Sequence, residues 1–157
     1  MPRKPEPLEP EPRKPEPRKP EPLGPGPLKP GARGRARKLV EEADLASAFG
    51  NPEAQVLATM VLATLLEQAA LSAVEEALGA DQVCVGSRLD FSHLAPTPPG
   101  FRVTAEAELV EVEGRRLVFK VSARDEADLI AEGTHERFIL DKDRFRKMVA
   151  AKAELLK

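Results

Sequence analysis

The most apolar stretch of the chain, residues 56–78, predicts a long buried helix. Its large apolar side chains point in nearly every direction around a helix, with alanines between them: Val56, Leu57, Met60, Val61, Leu62, Leu65, Leu66, Leu71, Val74 and Leu78. A helix that is apolar on all sides lies inside a domain. Gly79 is typical of the residue just after a helix end. Polar residues interrupt the stretch, so it predicts a core helix and not a membrane span.

Beyond Gly79 apolar and polar residues alternate, which is the pattern of strands with one buried face. The alternating segments are residues 83–91, 101–112, 117–123 and 129–140. Turn-forming residues separate them: a proline-rich loop at 96–100, Glu113-Gly114, and an acidic turn at 125–128. The pattern therefore predicts four consecutive antiparallel strands.

Shorter segments flank this pattern. Residues 36–41 predict a first short strand, and residues 44–49 predict a helical turn. Residues 141–157 predict a charged amphipathic helix with four apolar side chains facing inward: Phe145, Met148, Val149 and Leu155.

A sheet with one apolar face and a helix that is apolar on all sides can bury each other's apolar surfaces when the sheet wraps around the helix. The predicted fold class is therefore α+β. We expect a meander of four antiparallel strands, with one more strand ahead of it, around a long central helix. This is the hot-dog fold.

The N-terminal residues differ in composition from the rest. Twelve of the 16 prolines lie within residues 1–30. Proline fixes φ and lacks an N–H, so residues 1–33 predict a disordered, proline-rich basic arm, with the folded domain over residues 34–157. The PxxP spacing fits a ligand for a proline-binding module, but a solvated arm without a binding role is favoured.

Charge is distributed unevenly along the chain. Residues 1–38 carry 11 Lys and Arg against 5 Asp and Glu, a net charge of +6, and the remainder carries 13 against 21, a net charge of −8. Residues 31–38 are basic but contain no interleaved aromatic side chains, so no nucleic-acid partner is expected.

The single cysteine, Cys84, excludes an internal disulfide framework and favours a reducing compartment. No apolar segment near the N-terminus resembles a secretory signal, and none is long enough to span a bilayer. We therefore expect a cytoplasmic protein without a membrane partner.

Glu67 is the unusual residue of the central helix. Its neighbours one turn away are Ala63, Ala70 and Leu71. A carboxylate on such a face is costly to bury without a partner, because desolvation disfavours its charged form. The pattern alone fits a catalytic carboxylate and a charge at a subunit boundary equally well.

Several further residues form a specific set with Glu67: Thr59, Gly86, His93, the PPG loop at 98–100, EGRRL at 113–117 and GTHER at 133–137. This set resembles the fluoroacetyl-CoA thioesterase group of hot-dog proteins over roughly residues 34–145. The resemblance implies that Glu67 is the catalytic carboxylate, Thr59 its hydroxyl partner and His93 the catalytic imidazole. It also implies that Gly86 and Arg137 contact substrate.

The resemblance further implies an acyl-CoA substrate, no cofactor beyond the CoA of that substrate, no metal, and a homodimer or a tetramer. One departure concerns selectivity. Where fluoroacetyl-specific members carry phenylalanines, this chain has Gly50 and Glu53. Thioester cleavage is expected, whereas fluoroacetyl selectivity is not.

Those roles agree with the chemistry of thioester hydrolysis. The reaction needs a nucleophile or base, polarisation of the carbonyl and a proton for the leaving thiolate. A desolvated Glu67 can attack directly or activate water, and Thr59 can hold its carboxylate. His93 can serve as the proton donor or as the group that activates water.

Other interpretations stay open at this stage. His93 is also compatible with a hydrogen-bonded structural role and Thr59 with a helix cap, while Arg137 resembles a surface ion-pair residue and His135 a packed side chain. Two other functions are compatible with the fold: a non-catalytic acyl-CoA-binding module and a hot-dog hydratase.

Overall fold

The computed structural model describes residues 28–157, in which five antiparallel strands wrap around one long helix. The strands are β1 (Arg33–Leu39), β2 (Gln82–His93), β3 (Arg102–Glu113), β4 (Arg116–Arg124) and β5 (Leu129–Asp141). The helices are α1 (Thr59–Val74) and α2 (Lys142–Ala153). Short 3₁₀ turns lie at Glu42–Asp44, Ala46–Phe49, Glu75–Ala77 and Glu154–Leu156. The predicted α+β hot-dog architecture is confirmed.

The core lies between α1 and the inner faces of β3 and β4. The strands contribute eight buried side chains in strict alternation: Val103, Ala105, Ala107 and Leu109 from β3, and Leu117, Phe119, Val121 and Ala123 from β4. The helix contributes Leu62, Leu65, Leu66, Ala69, Ala70 and Val74. Because side chains alternate across a strand, one face of each strand meets the helix while the other stays polar.

The strand order is β1-β3-β4-β5-β2, which corrects one prediction. Only β3, β4 and β5 form a meander, while β2 lies beyond β5 and pairs with it. The proline-rich loop explains the crossing. It passes the start of α1, where the Leu57 amide donates to the Thr97 carbonyl, and reaches β1, where the Gly100 amide donates to the Val40 carbonyl. From the sequence alone β2 was predicted to pair with β3, because consecutive strands usually lie side by side.

Helix α1 is shorter than the apolar stretch that predicts it. Ala58 is extended and residues 57–58 are held outside the helix, where Leu57 bridges Leu45. At the other end the chain tightens into the 3₁₀ turn at Glu75–Ala77. Buried apolar residues continue through the lead-in segment, which is why composition does not mark the helix start.

Helix α2 corrects a second prediction. Asp141 caps it by accepting from the Arg144 amide, but none of its side chains is buried. Met148, Val149 and Leu155, which the pattern placed inward, are 63%, 52% and 81% exposed in the single chain. The helix directly follows β5 along the chain.

Among residues 28–157 no helix has the length and apolar character needed to cross a membrane.

The boundary predicted between residues 33 and 34 is close to the start of β1. Arg33 is the first residue of β1, and two further bonds precede it: the Gly31 amide donates to the Leu109 carbonyl, and the Leu109 amide donates to the Ala32 carbonyl. Leu28 and Ala32 also pack against the core. These contacts belong to the domain, although they lie on the arm side of the predicted boundary.

We expect a chain that begins at Leu28 to keep the thermal midpoint of the full protein. A chain that begins at Gly34 loses both bonds around Leu109, and it should lose about 1–3 kcal/mol of stability. Thermal unfolding of the three chains measures the difference. A midpoint lowered already by removal of residues 1–27 would show instead that the arm docks on the domain.

Candidate functional site

Thr59 and His93 form one half of the candidate site. Thr59 begins α1 and His93 ends β2, and the Thr59 Oγ1 atom lies 2.9 Å from His93 Nδ1. The two side chains line an open cleft of about 380 Å³ whose other walls are mainly apolar: Ala46, Val56, Leu57, Leu94, Ala95 and Pro96. A hydrogen-bonded hydroxyl and imidazole therefore stand at the edge of an apolar cleft.

The other ring nitrogen of His93 has no partner in the described chain. Nε2 is buried but makes no hydrogen bond. Burial lowers the pKa of the His93 imidazole below its ordinary value, although a backbone hydrogen bond at Ala95 opposes the shift. An unpaired buried nitrogen costs about 1–3 kcal/mol. Burial therefore favours the neutral form of the imidazole near neutral pH.

Glu67 lies elsewhere in the single chain. It is eight residues beyond Thr59, which separates the two by about 12 Å along the helix axis at 1.5 Å per residue. Glu67 is exposed, so the expected desolvation by Ala63, Ala70 and Leu71 is not found in one chain. Thr59 bonds to His93 and does not hold the Glu67 carboxylate.

The Glu67 carboxylate lies beside Gly86 on β2. A Cβ atom at Gly86 would fall 2.8 Å from Glu67 Oε1, 3.3 Å from His135 Cε1 and 3.4 Å from Arg137 Nη1. A side chain here would displace the Glu67 carboxylate and crowd His135 and Arg137, so glycine allows these three side chains to approach one another closely. A register shift between Gly86 and Arg88 marks a β-bulge at the same place.

Arg137 is buried rather than paired at the surface. Only 6% of it is exposed, and its three hydrogen bonds go to uncharged acceptors: Nε to Cys84 Sγ at 3.3 Å, Nη2 to the Cys84 carbonyl at 3.0 Å, and Nη1 to His135 Nε2 at 3.2 Å. The surface ion pair of this region is instead Arg116 with Glu136. The structure thus excludes the surface interpretation of Arg137.

The predicted residues therefore form two groups within one chain. One is Thr59 with His93, and the other is Glu67, Gly86 and Arg137. Sequence analysis treated His135 as packing alone, but its ring is hydrogen-bonded on both sides. The signal that identifies it is the alternation along GTHER, which places His135 and Arg137 on the same inward face of β5.

Among the described residues, no group of three or more His, Cys, Asp or Glu side chains is placed to hold a metal ion.

Comparison with known proteins identifies the family. Residues 40–143 match the family described as FlK, fluoroacetyl-CoA-specific thioesterase. The chain belongs to this family. A fluoroacetyl-CoA thioesterase from Streptantibioticus cattleyicolor is 41% identical over 98 residues, which cover 62% of this chain and 70% of that protein.

Solved structures agree with the assignment. Two structures of FlK, one a mutant in complex with acetyl-CoA, both align at a TM-score of 0.74 with 34% identity. They cover 81% and 80% of this chain and 98% of theirs. A hot-dog-like protein from Thermanaerovibrio acidaminovorans aligns at 0.73 with 27% identity and covers 78% of this chain and 91% of its own.

The two histidines predict how stability depends on pH. Burial lowers the pKa of both His93 and His135 from the ordinary 6.5. Below pH 6.5 the unfolded chain therefore binds more protons than the folded chain, so stability falls as pH drops toward the folded-state pKa values. Between about pH 7.5 and 5.5 we expect a decrease of at most about 1.4 kcal/mol per pH unit for each histidine.

Replacing His135 by Phe should make this dependence shallower, and urea unfolding at both pH values measures it. Val121→Ala is the control, because it removes a buried side chain without a titrating group and should keep the wild-type dependence. A wild-type dependence in His135→Phe would show that this imidazole does not contribute.

Proposed function

We propose that the protein hydrolyses acyl-CoA thioesters to the free acid and CoA. The observation that carries this proposal is the Thr59–His93 pair at the edge of an apolar cleft, in a chain that belongs to a thioesterase family. Family membership assigns the chain to the thioester hydrolases. The mutant FlK structure in complex with acetyl-CoA supports an acyl-CoA as the substrate class.

In the proposed mechanism Glu67 acts as the nucleophile or general base. Its carboxylate attacks the thioester carbonyl or removes a proton from the attacking water. The C–S bond then breaks, and the CoA thiolate takes up a proton that comes from the hydrolytic water and reaches it through the neutral His93 imidazole. Where Glu67 attacks directly, the same water cleaves the anhydride that forms. The Thr59 hydroxyl fixes the imidazole through its bond to Nδ1, which leaves Nε2 to face the reacting groups.

The start of α1 supplies candidate donors for the developing oxyanion. Thr59 and Met60 are the first residues of the helix, so their amides have no acceptor within it. Such amides carry the positive end of the helix dipole and favour a nearby negative charge. The Thr59 amide belongs to a residue that lines the cleft.

A homodimer unites the two groups of residues. Strand β2 lies at an edge of the sheet, and pairing two copies of β2 antiparallel continues the sheet. If the two-fold axis passes midway between Gly86 and His93, the His93 of each protomer lies opposite the Gly86 region of its partner. Glu67, which lies beside Gly86, would then approach the Thr59–His93 pair of the other protomer. The exposure of Glu67 and the unpaired Nε2 of His93 support this arrangement.

We propose that the acyl group is not restricted to fluoroacetyl. Gly50 ends the 3₁₀ turn Ala46–Phe49 with a φ of 97°, and both Gly50 and Glu53 are exposed. Neither supplies an aromatic side chain to the cleft. Gly86 and Arg137 are proposed to contact the substrate, because Arg137 Nη1 reaches the space beside Gly86.

Activity should depend on the Glu67 carboxylate. Glu67→Gln keeps the shape and helix propensity of the side chain but removes the base, so turnover should fall by about 10²–10⁴-fold. The measurement is thiol release from a panel of acyl-CoAs that includes acetyl-, fluoroacetyl- and longer-chain esters. Glu75→Gln is the matched control, since it neutralises an exposed carboxylate just beyond α1 and should leave turnover unchanged.

Near wild-type thiol release by Glu67→Gln would contradict the mechanism. Binding of acyl-CoA by the wild type without release of thiol would favour the non-catalytic module. Loss of enoyl absorbance from crotonyl-CoA without thiol release would favour the hydratase.

Mixing variants tests whether each site draws on two protomers. In a homodimer with shared sites, inactive Glu67→Gln and inactive His93→Ala, refolded together at equal amounts, should recover about one quarter of wild-type activity by two-fold symmetry. Two Glu67→Gln chains refolded together are the control and should stay inactive. Light scattering should show a dimer throughout. A dimeric mixture without recovery would place each site within one chain, and a monomeric mass would contradict the dimer.

A further inference from the structure

His135 is a fully buried polar side chain with a defined protonation state. It is 0% exposed, and its Nδ1 atom lies 2.7 Å from the Arg88 carbonyl oxygen. A carbonyl oxygen can only accept, so Nδ1 carries the proton and donates. On the other side, Nε2 lies 3.2 Å from Arg137 Nη1, which can only donate. The ring is therefore neutral, with its proton on Nδ1 and its lone pair on Nε2.

This ring connects the β2 bulge to the Arg137 guanidinium. The Arg88 carbonyl belongs to the register shift between Gly86 and Arg88, and the bond to His135 ties the ring to that bulge. Cys84 holds the guanidinium through Nε and Nη2, and His135 holds it through Nη1. All three nitrogens of the rigid guanidinium are thereby fixed.

The nitrogen that His135 holds borders the same small space as the candidate catalytic carboxylate. Beside Gly86, the position of an added Cβ is 3.4 Å from Arg137 Nη1 and 2.8 Å from Glu67 Oε1. Each Nη atom carries two N–H groups, so Nη1 keeps a second donor after its bond to His135. That donor is available to the small space beside Gly86.

We propose that His135 is a positioning residue: its neutral imidazole aims the Arg137 guanidinium at the Glu67 carboxylate beside Gly86. This inference rests on the proposed function, because it concerns how the Glu67 carboxylate is set for thioester cleavage. His135 itself does not touch the reacting atoms.

Protonation of His135 would break its hydrogen bond with Arg137. Nε2–H would then point at the cationic guanidinium, and two donors would face each other. The charged groups around the ring are Arg137 and Glu136 on β5, Glu67 on α1 and Arg88 on β2, and Phe119 on β4 packs against it with ring centroids 6.1 Å apart. Burial lowers the pKa of His135, and the Arg137 charge acts in the same direction, so the neutral form persists below pH 6.5.

Kinetics of three variants test the role. His135→Phe keeps a buried ring but removes both bonds, and kcat should fall on the order of 10–100-fold with KM little changed, because the carboxylate loses its alignment. His135→Gln offers an amide oxygen that can accept from Arg137 in place of Nε2, so it should recover most of kcat. Val121→Ala is the packing control and should keep wild-type kcat.

Other kinetic outcomes would overturn the inference. A rise in KM alone in His135→Phe would make Arg137 a ground-state substrate contact without a role in aligning Glu67. An equal loss of kcat in Val121→Ala would show that His135 acts through packing. If His135→Phe does not fold, His135→Gln decides: near wild-type kcat supports the bond to Arg137, and a kcat as low as that of Glu67→Gln overturns it.

The tautomer of His135 provides a test that does not depend on activity. Long-range ¹H–¹⁵N correlation spectra of the labelled wild-type protein should show the neutral Nδ1–H form, with the two histidines told apart by His93→Ala. The Nε2–H form, or a ring that titrates near pH 6.5, would overturn the inference even in an active thioesterase. If the wild type releases no thiol from any acyl-CoA, the proposed function fails while the tautomer result still stands by itself.

Discussion

The close packing of α1 against the sheet fixes where every candidate site residue can lie. Small residues make this contact close: a Cβ atom at Gly34 on β1 would fall 2.2 Å from the Ala69 carbonyl oxygen, and Ala105 and Ala107 of β3 are buried against the helix. The Arg35 amide also donates to Ser72 Oγ at 3.0 Å. Because the helix can neither slide nor rotate on this surface, the positions of Thr59 and Glu67 relative to β2 are set by the core.

The fixed position of α1 explains why the candidate catalytic residues form two separate groups within one chain. Two residues eight positions apart are separated by about 80° around a helix and by about two turns along it. Thr59 therefore meets the end of β2 at His93, and Glu67 meets its middle at Gly86. Antiparallel pairing of two copies of β2 reverses this order along the strand, which is how a symmetric dimer can bring opposite ends of the site together.

Most of the fold was predictable from the sequence, because the helix and the four later strands bury residues at the period of their own secondary structure. The position of β2 in the sheet could not be predicted, since it depends on a loop that crosses the start of α1 and on the contacts of Thr97 and Gly100. The exposure of α2 could not be predicted either. An apolar stripe indicates that one face of a helix can be buried, but not that this chain supplies the surface that covers it. The pairing of Thr59 with His93, and of Glu67 with Gly86, needed the three-dimensional register of α1 on β2. The family resemblance assigned all three candidate catalytic residues to one site.

Two polar groups of the site are not fully compensated within the described chain. A buried guanidinium is costly unless its charge is compensated, yet all three hydrogen bonds of Arg137 go to uncharged acceptors. A buried His93 nitrogen without a hydrogen-bond partner adds a second cost. Both costs are offset if a carboxylate or an acyl-CoA carbonyl enters the space between these groups. Polar groups held in place before the ligand arrives can stabilise a charge that develops only during reaction, because they need no reorganisation at that moment. The core that holds Arg137 and His93 in position therefore supplies part of this preorganisation.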